Sequence, residues 1–514
     1  MPPTPPGRRR LAEGLRLLQL RQQAGIVVFR TADFSRAHRD ALVLNGFLRR
    51  VTRGWYLPAR PGDAPGDTTP WYAAMAQFVA GYAKERFGDD WHLDPASSLR
   101  LHAGATVLPR QLVVHSPRGT NNVLALPDGC SLLDYKARDF PTPDQIEVRA
   151  GLRVLTVPAA LIRVSPTFFA TAPLDAQVAL AGLPDASDLT RALLAGGHSA
   201  VAGRLAGALR AVGRGALADD LIGTFRTVGY TVSETNPFET TLPSLGGLRT
   251  ASPYVRRLQL LWTRLRDTVR SAMPPAPGRP ADVARYLAAV AEAYTEDAYH
   301  SLSIEGYRVT DGLIARVATG DWNPAAHVAD ADARNAMAAH GYWRAHAAVQ
   351  GSVQRVLEGV EAGAVARDEH GRWYRELFGP SVDAGVITAS DLAGYRNDQV
   401  FIRNAAHVPP TRDAVRDLMP VLFDLLTEEP DVGVRAVLGH FAFVYVHPYM
   451  DGNGRMARFL MNVMFASGGF PWTIIRVERR AEYMAALDAA SAHEDIGPFA
   501  QFIAACLEES RGKS

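Results

Sequence analysis

The segment from His447 to Arg458 constrains the fold of this 514-residue chain more than any other. It reads HPYMDGNGRMAR and joins a histidine, an acid, a Gly-Asn-Gly turn and two arginines. Apolar residues at helical spacing stand on both sides of it: Leu438, Phe441, Val444 and Tyr445 before it, and Phe459, Leu460, Val463 and Met464 after it. The pattern predicts a tight loop between two buried helices. Such a loop must satisfy its own polar groups, and this one carries more donors than a structural turn requires.

The turn and the arginines have the residue types of an anion site. Gly452 and Gly454 allow positive φ and close backbone approach, so the amides around Asn453 can open at a helix N-terminus, where oxyanions bind. Arg455 and Arg458 lie three residues apart on that helix, so both guanidinium groups can face one phosphate chain.

Two further residues of the loop suit metal binding and proton transfer. Asp451 is placed to hold Mg²⁺ through one carboxylate, as phosphate sites commonly do. His447 is then free to act as a general base near neutral pH. Each part alone is common in loops without function, but no packing requirement explains the whole string. Together the parts indicate transfer of a phosphorus-bearing group from a nucleotide to a hydroxyl.

The string resembles the Fic family signature, H-P-F-x-D/E-G-N-G-R-x-x-R, with Tyr449 in place of the usual Phe. The resemblance implies an all-α bundle that transfers AMP from ATP, with Mg²⁺, to a Ser, Thr or Tyr hydroxyl on a protein. By position, His447 resembles the base and Asp451 the Mg²⁺ ligand. The residues that resemble the polyphosphate clamp are Gly452, Asn453, Gly454, Arg455 and Arg458. Related Doc-type kinases carry Lys at the position of Gly454, so glycine there favours AMP as the transferred group over phosphate, and AMP is also preferred to phosphocholine and UMP.

Two flanking segments extend the resemblance. Residues 394–410 alternate apolar and polar side chains, which predicts a short hairpin. It resembles the family's flap, on which Val400, Phe401 and Ile402 would pair with the target protein by strand addition. Downstream, Tyr483 lies in a segment that resembles the helix closing over adenine, and is expected to stack on the base.

A second pattern resembles the family's inhibitory motif, S/T-x-x-x-E-G/N. Helical periodicity runs over about residues 283–305 and ends at Gly306, a plausible C-terminal glycine. Ser301 and Glu305 occupy the motif positions. In the family this glutamate pairs with the second arginine, here Arg458, and blocks the γ-phosphate of ATP. The resemblance predicts an enzyme that is mostly inactive at rest; some family members use the same glutamate to remove AMP.

The N-terminus differs in charge from the rest of the chain. Residues 1–60 carry twelve Arg but three acidic residues, although the net charge of the whole chain is +2. Helical patterns followed by a basic strand–turn–strand predict a winged helix-turn-helix whose Arg36, His38 and Arg39 approach DNA bases. The alternative is a small winged domain that binds protein or only packs. The phrase NGFLRRVTRGWYL resembles the start of AbiEi-type antitoxin regulators, which join a winged helix to an α/β domain and repress transcription.

The expected fold class is mainly α, with a C-terminal all-α Fic bundle and small hairpin flap, preceded by a winged helix and an α/β middle domain. The predicted domains are the winged helix (8–60), the α/β domain (67–235), a helical linker (236–280) and the Fic domain (281–514). Cys130 and Cys506 lie far apart, which suits a reducing cytoplasm. No apolar run is long enough for a membrane span, so no membrane partner is expected.

Two functions are compatible with the sequence. The first is a self-inhibited, ATP- and Mg²⁺-dependent protein adenylyltransferase that acts on a protein, itself included, and binds DNA through residues 8–60. The second is a DNA-binding regulator whose Fic unit senses nucleotide, self-modifies or removes AMP. A homodimer is compatible with both.

Overall fold

The computed structural model describes residues 6–61, 69–238, 252–319 and 333–512. The helices in these ranges are α1 (Pro6–Gln23), α2 (Arg36–Leu44), α3 (Thr69–Phe87), α4 (Pro95–His102), α5 (Val157–Arg163), α6 (Thr167–Thr171), α7 (Pro173–Ala181), α8 (Ser187–Ala195), α9 (Ser199–Ala211), α10 (Gly215–Thr227), α11 (Pro253–Ala272), α12 (Val283–Glu292), α13 (Tyr294–Ile304), α14 (Asp311–Thr319), α15 (Ala333–Leu357), α16 (Ala362–Asp383), α17 (Arg412–Glu428), α18 (Val432–Val446), α19 (Asn453–Ala466), α20 (Arg480–His493) and α21 (Gly497–Arg511). The strands are β1 (Phe29–Arg30), β2 (Leu48–Thr52), β3 (Trp55–Pro58), β4 (His92–Leu93), β5 (Gln111–Ser116), β6 (Asn122–Ala125), β7 (Ser131–Lys136), β8 (Ile146–Arg149) and β9 (Leu152–Leu155).

The chain divides into two compact units. The first comprises Met1–Pro253 with Phe401–Val408, and the second comprises Tyr254–Val400 with Pro409–Ser514. The predicted linker 236–280 therefore contributes α11 to the second unit, while its residues 239–251 lie outside the described ranges. None of the described helices combines the length and apolar character needed to cross a bilayer.

The first unit begins with a small mixed region. Helices α1 and α2 pack beside an antiparallel sheet of order β1-β3-β2. The side chain of Ser35 caps α2 by accepting a hydrogen bond from the backbone N–H of His38. Strands β2 and β3 form the basic strand–turn–strand that the sequence predicts. The assignment of residues 8–60 as a winged helix stays a prediction.

The middle of the first unit is mixed α/β, in agreement with the expected fold class. Its main sheet has the order β4-β5-β7-β6, in which β5 and β7 are parallel and the other pairs antiparallel. Helices α4 to α10 bury a core of Leu, Ala, Val and Phe side chains. In a second core Trp55 of β3 lies edge-on to Phe78 of α3, with ring centroids 5.5 Å apart.

The second unit is helical throughout its described residues. Helices α18 and α19 flank the loop 447–452, and α19 is buried along almost its whole length. Helices α15 and α16 form an antiparallel pair that also contacts α19. The all-α bundle expected from the sequence is confirmed here.

The helix predicted over 283–305 is interrupted. The structure separates α12 from α13 at Ala293, where the Ala293 N–H donates to the carbonyl oxygen of Ala289. Most of α12 is exposed, whereas α13 buries Asp297 and Ser301. Small alanines around the break fit an exposed or a buried face equally well, so apolar periodicity does not reveal the interruption.

The predicted hairpin at 394–410 is wrong: among the described residues this segment pairs no strand of its own. Its two ends, residues 394–400 and 409–410, are called its limbs here, and side chains join them. Gln399 Nε2 donates to the Pro409 carbonyl at 2.8 Å, and Arg396 donates to the Pro410 carbonyl. Pro409 and Pro410 have no N–H for a strand ladder, which explains the open loop. Val400 lies in the second unit; Phe401 and Ile402 group with the first, where His407 bridges Val107.

An ion pair fixes α11 within the second unit. Nε and Nη2 of Arg266 each lie 2.8 Å from the carboxylate of the buried Glu429. Glu429→Ala would leave Arg266 half-buried without its partner, and we expect a loss of about 2 kcal/mol in the free energy of unfolding. Urea denaturation measures this, with the exposed neighbour Glu428→Ala as control, for which we expect a change below about 0.5 kcal/mol. Equal losses for both variants would contradict a specific role for this ion pair.

Candidate active site

The candidate base, His447, ends α18 in a left-handed conformation, with φ 52° and ψ 60°. This conformation costs about 1 kcal/mol or more for a non-glycine residue, so the surroundings must hold it. The His447 N–H donates to the Phe443 carbonyl at 2.9 Å, and Nδ1 lies 3.2 Å from the Val444 carbonyl oxygen. From outside the loop, Nε of Arg396 donates to the His447 carbonyl at 2.8 Å.

The electrostatic surroundings keep the imidazole neutral. Burial lowers the pKa of His447 to about 4, and the nearby charge of Arg396 acts in the same direction. The group is therefore deprotonated at neutral pH, which is the form a general base requires.

Asn453 braces the loop. Its side-chain oxygen accepts the Tyr449 N–H at 2.9 Å, and its amide group donates to the Tyr449 carbonyl at 2.8 Å. The sequence assigns Asn453 to the phosphate clamp, but its buried side-chain oxygen is used to close the loop. The ring of Tyr449 is also buried and stacks on Tyr374, with centroids 3.7 Å apart.

Ser301 and Glu305, the two residues of the predicted inhibitory motif, both contact the second arginine. Arg458 donates from Nε to Ser301 Oγ at 2.8 Å and from Nη2 to Glu305 Oε1 at 2.7 Å. Nη2 also lies 3.1 Å from the Ser301 carbonyl oxygen. Burial alone would raise the pKa of Glu305, but the positive charges of Arg458 and Arg455 outweigh it and hold the pKa below its usual value. The carboxylate is therefore ionised beside the arginines.

The end of α13 directs Glu305 into this position. Gly306 adopts φ 85°, its N–H donates to the Ser303 carbonyl at 3.0 Å, and the Tyr307 N–H donates to the Leu302 carbonyl at 3.1 Å. This is a Schellman motif, which ends the helix at Glu305 and favours glycine at the next position. The C-terminal glycine expected from the sequence is confirmed.

Arg455 is enclosed by aromatic rings. Its side chain is 1% exposed, and its guanidinium carbon lies 5.2 Å from the ring centroid of Tyr307 and 5.1 Å from that of Phe378. Within the described part of the chain, Nε and Nη2 have no hydrogen-bond partner. Buried unpaired donors are expensive, so this site is suited to an anion. No sequence motif indicates a role for Tyr307 or Phe378.

Asp451 has the exposure that a metal ligand needs. Its side chain is 63% exposed, with Oδ2 3.6 Å from Arg455 Nη2, while Oδ1 accepts the Gly452 N–H at 2.6 Å. No cluster of three or more potential metal ligands occurs among the residues described. Mg²⁺ commonly combines one carboxylate with substrate phosphates and water, and Asp451 fits that mode.

The two glycines of the turn are needed for different reasons. Gly452 adopts φ 80°, as the sequence predicts. Gly454 instead lies inside α19, and a methyl group there would be 2.5 Å from Glu305 Oε1. Lack of space, and not positive φ, therefore requires glycine at this position.

The adenine-stacking role expected for Tyr483 is wrong in this structure. The ring is 1% exposed, lies 5.8 Å from Phe502 between centroids, and its hydroxyl is 2.8 Å from His440 Nε2. Tyr483 is a core residue of α20 with no free face for a base. A local sequence pattern cannot separate an aromatic residue that lines a pocket from one that fills the core.

Residues 367–465, which contain this loop, match the Fic/DOC family, and this segment of the chain is a Fic domain. Protein adenylyltransferase Fic from Nematostella vectensis is 42% identical over 120 residues, which cover 23% of this chain and 27% of that protein. Protein adenylyltransferase fic-1 from Caenorhabditis elegans is 38% identical over 154 residues, or 29% and 28% of the two chains. The chain thus spans little more than a quarter of the length of these relatives. A solved part of Fic-1 from C. elegans aligns with 66% of this chain and 97% of its own at 20% identity, with a TM-score of 0.38.

The contact between Gly454 and Glu305 can be tested by a double-mutant cycle. Gly454→Ala should lower the free energy of unfolding by about 2 kcal/mol, because the added methyl group collides with the carboxylate. In a Glu305→Ala background the same change should cost clearly less, because only Arg458 Nη1, 3.2 Å from the position of the methyl group, remains close. Urea denaturation of the four proteins gives the coupling energy. Equal losses in both backgrounds would show that the collision is with something else.

Proposed function

We propose that this chain is a self-inhibited protein adenylyltransferase that transfers AMP from ATP to a Ser, Thr or Tyr hydroxyl of a protein. The observation that carries the proposal is the composition of one loop in a Fic domain: a neutral imidazole at His447, an exposed carboxylate at Asp451 and an arginine, Arg455, with buried unpaired donors. Relatives named protein adenylyltransferase support the same activity.

In the proposed reaction His447 accepts the proton of the target hydroxyl. The hydroxyl oxygen forms a bond to the α-phosphorus of ATP, the bond from that phosphorus to the bridging oxygen breaks, and pyrophosphate leaves. Arg455 and Arg458 hold the phosphate oxygens through charge-assisted hydrogen bonds. Mg²⁺, held through Asp451, would neutralise phosphate charge.

In the proposed inhibition, which we call the brake, Ser301 and Glu305 occupy donors of Arg458, and Glu305 adds negative charge to the site. Glu305 accepts a hydrogen bond from Arg458 Nη2, and Ser301 accepts from its Nε, so two of the donor atoms that phosphates would use are taken. The carboxylate also puts negative charge beside the place where the triphosphate must bind. Tyr307 lies over Arg455 from the same short segment, so the segment contacts both arginines.

The space around Gly454 supports AMP as the transferred group. A lysine there, as in the Doc-type kinases, would collide with Glu305 as placed in this chain. Removal of AMP through the same Glu305 is a second activity that the site could support, and the labelling experiment that follows separates the two.

The test compares the wild-type protein with Glu305→Gly and His447→Ala, each incubated with Mg²⁺ and ATP labelled at the α-phosphate. Loss of the Glu305 carboxylate should raise protein labelling at least about tenfold, equivalent to about 1.4 kcal/mol. The His447→Ala change, placed in the Glu305→Gly background, should abolish labelling. The exposed Glu292→Gly serves as control and should leave labelling unchanged.

Two results would contradict the proposal. Labelling that survives His447→Ala would exclude His447 as the base. Equal labelling of wild type and Glu305→Gly would exclude the brake. A wild-type protein that strips label from the labelled Glu305→Gly protein, without adding any, would favour AMP removal.

A second function, DNA binding through residues 8–60, is supported by one exposed arginine near the start of α2. Arg36 has a side chain that is 89% exposed. The other two predicted base contacts are less accessible, because Arg39 is 15% exposed and His38 lies 3.3 Å from Glu13. Of the three residues, Arg36 is therefore the one suited to reach DNA.

Fluorescence anisotropy with a labelled duplex tests this second function. Binding should weaken as salt rises, and Arg36→Ala, as the loss of a base contact, should cost about 1–3 kcal/mol of binding free energy on a preferred duplex and relax the sequence preference. Arg191→Ala in α8, with a side chain 75% exposed, serves as the control and should leave binding unchanged. No salt-dependent binding would favour a protein-binding or packing module instead.

A further inference from the structure

Arg396 is a buried arginine that donates to backbone oxygens on three sides. It is 2% exposed, and its Nε donates to the His447 carbonyl at 2.8 Å. Nη1 donates to the Asp398 carbonyl at 2.9 Å, and Nη2 donates to the Pro410 carbonyl. Its own N–H donates to the Pro448 carbonyl at 2.9 Å. One residue therefore binds both the catalytic loop and the two limbs of the 394–410 loop.

The guanidinium of Arg396 is directed at carbonyls and not at a carboxylate. No acidic side chain lies within ion-pair distance of it among the described residues. Burial lowers the pKa of Arg396 to about 10, so the group keeps its charge at neutral pH. A buried charge is retained only where its hydrogen bonds are good, and here they fix backbone positions.

The backbone at His447 needs such support. His447 is left-handed and a proline follows it, so neither a continuing helix nor a strand ladder can hold its carbonyl. The donor from Arg396 occupies that carbonyl. The orientation of the imidazole, which is set by the same backbone, then depends on Arg396.

We propose that Arg396 is a positioning residue for the reaction: it holds the backbone of His447 in register with residues 396–400 and 409–410, which flank the segment expected to dock the target, so that base and hydroxyl meet. The inference rests on the proposed function. The side-chain donors of Arg396 go to the carbonyls of His447, Asp398 and Pro410, and none of these residues is assigned to the polyphosphate clamp.

Arg412 provides a matched control. Its Nη1 donates to the Asn397 carbonyl at 2.9 Å, so it too joins the limbs of the loop, but it is 57% exposed and does not contact His447. If Arg396 only maintained the structure of the loop, replacing Arg412 should have the same effect as replacing Arg396. If Arg396 positions His447, only the replacement of Arg396 should lower the rate of transfer.

The experiment uses the full chain with the Glu305→Gly change, so that transfer is measurable. Arg396→Lys, Arg396→Gln and Arg412→Gln are compared for the Kd of a non-hydrolysable ATP analogue, for the rate of AMP transfer at saturating ATP, and for thermal melting. We expect both Arg396 variants to keep Kd within about twofold of the parent and to lose about 100-fold in rate, the effect of displacing a catalytic group by about 1 Å. Arg412→Gln should change neither the Kd nor the rate.

The outcomes separate this inference from the function on which it rests. No transfer by the parent overturns the proposed function, and the role of Arg396 with it. Transfer by the parent that is unchanged in both Arg396 variants overturns the inference alone. Loss of cooperative melting, or a tenfold weaker Kd, in both Arg396 variants would make Arg396 a general fold residue and overturn the inference as well.

Discussion

The structure of the candidate site depends on the buried guanidinium of Arg458, which is held by an ion pair and hydrogen bonds from α13. The residue is buried on α19, in the most enclosed helix of its unit, and α13 supplies both a hydroxyl and a carboxylate to it. Removing the partner without a substitute would leave an uncompensated charge. In the proposed function a triphosphate would be such a substitute, so α13 and the nucleotide would compete for the charge of Arg458. This competition gives the proposed inhibition its physical basis.

The remainder of the site depends on a few unusual backbone conformations. His447 and Gly452 both have positive φ, and they bracket a loop only a few residues long. Asn453 closes the loop from inside, while Arg396 holds it from outside. The two helices that flank the loop provide a rigid frame, but side-chain donors to backbone carbonyls set its shape.

The sequence predicted the parts of the site that combine several residue types at fixed spacing. The loop from His447 to Arg458 and the contact of Glu305 with Arg458 belong to this class. Tyr483 and the 394–410 hairpin were predicted from local patterns, and these failed because burial and strand pairing depend on distant residues. The contacts of Arg396 and Tyr307 could not be predicted, because a single arginine or tyrosine carries no sequence signal until the fold brings it to the loop. The α/β and all-α composition of the two units followed from periodicity and from the resemblance of the loop to its family.

The closeness of Gly454 to Glu305 has a consequence for sequences other than this one. The two positions lie far apart in the chain, yet the space at one is filled by the carboxylate at the other. In any chain with this backbone, a larger side chain at the first position excludes a glutamate placed like Glu305. Across an alignment the two columns should therefore covary, and the residue in the turn alone would indicate whether an inhibitory glutamate can fit.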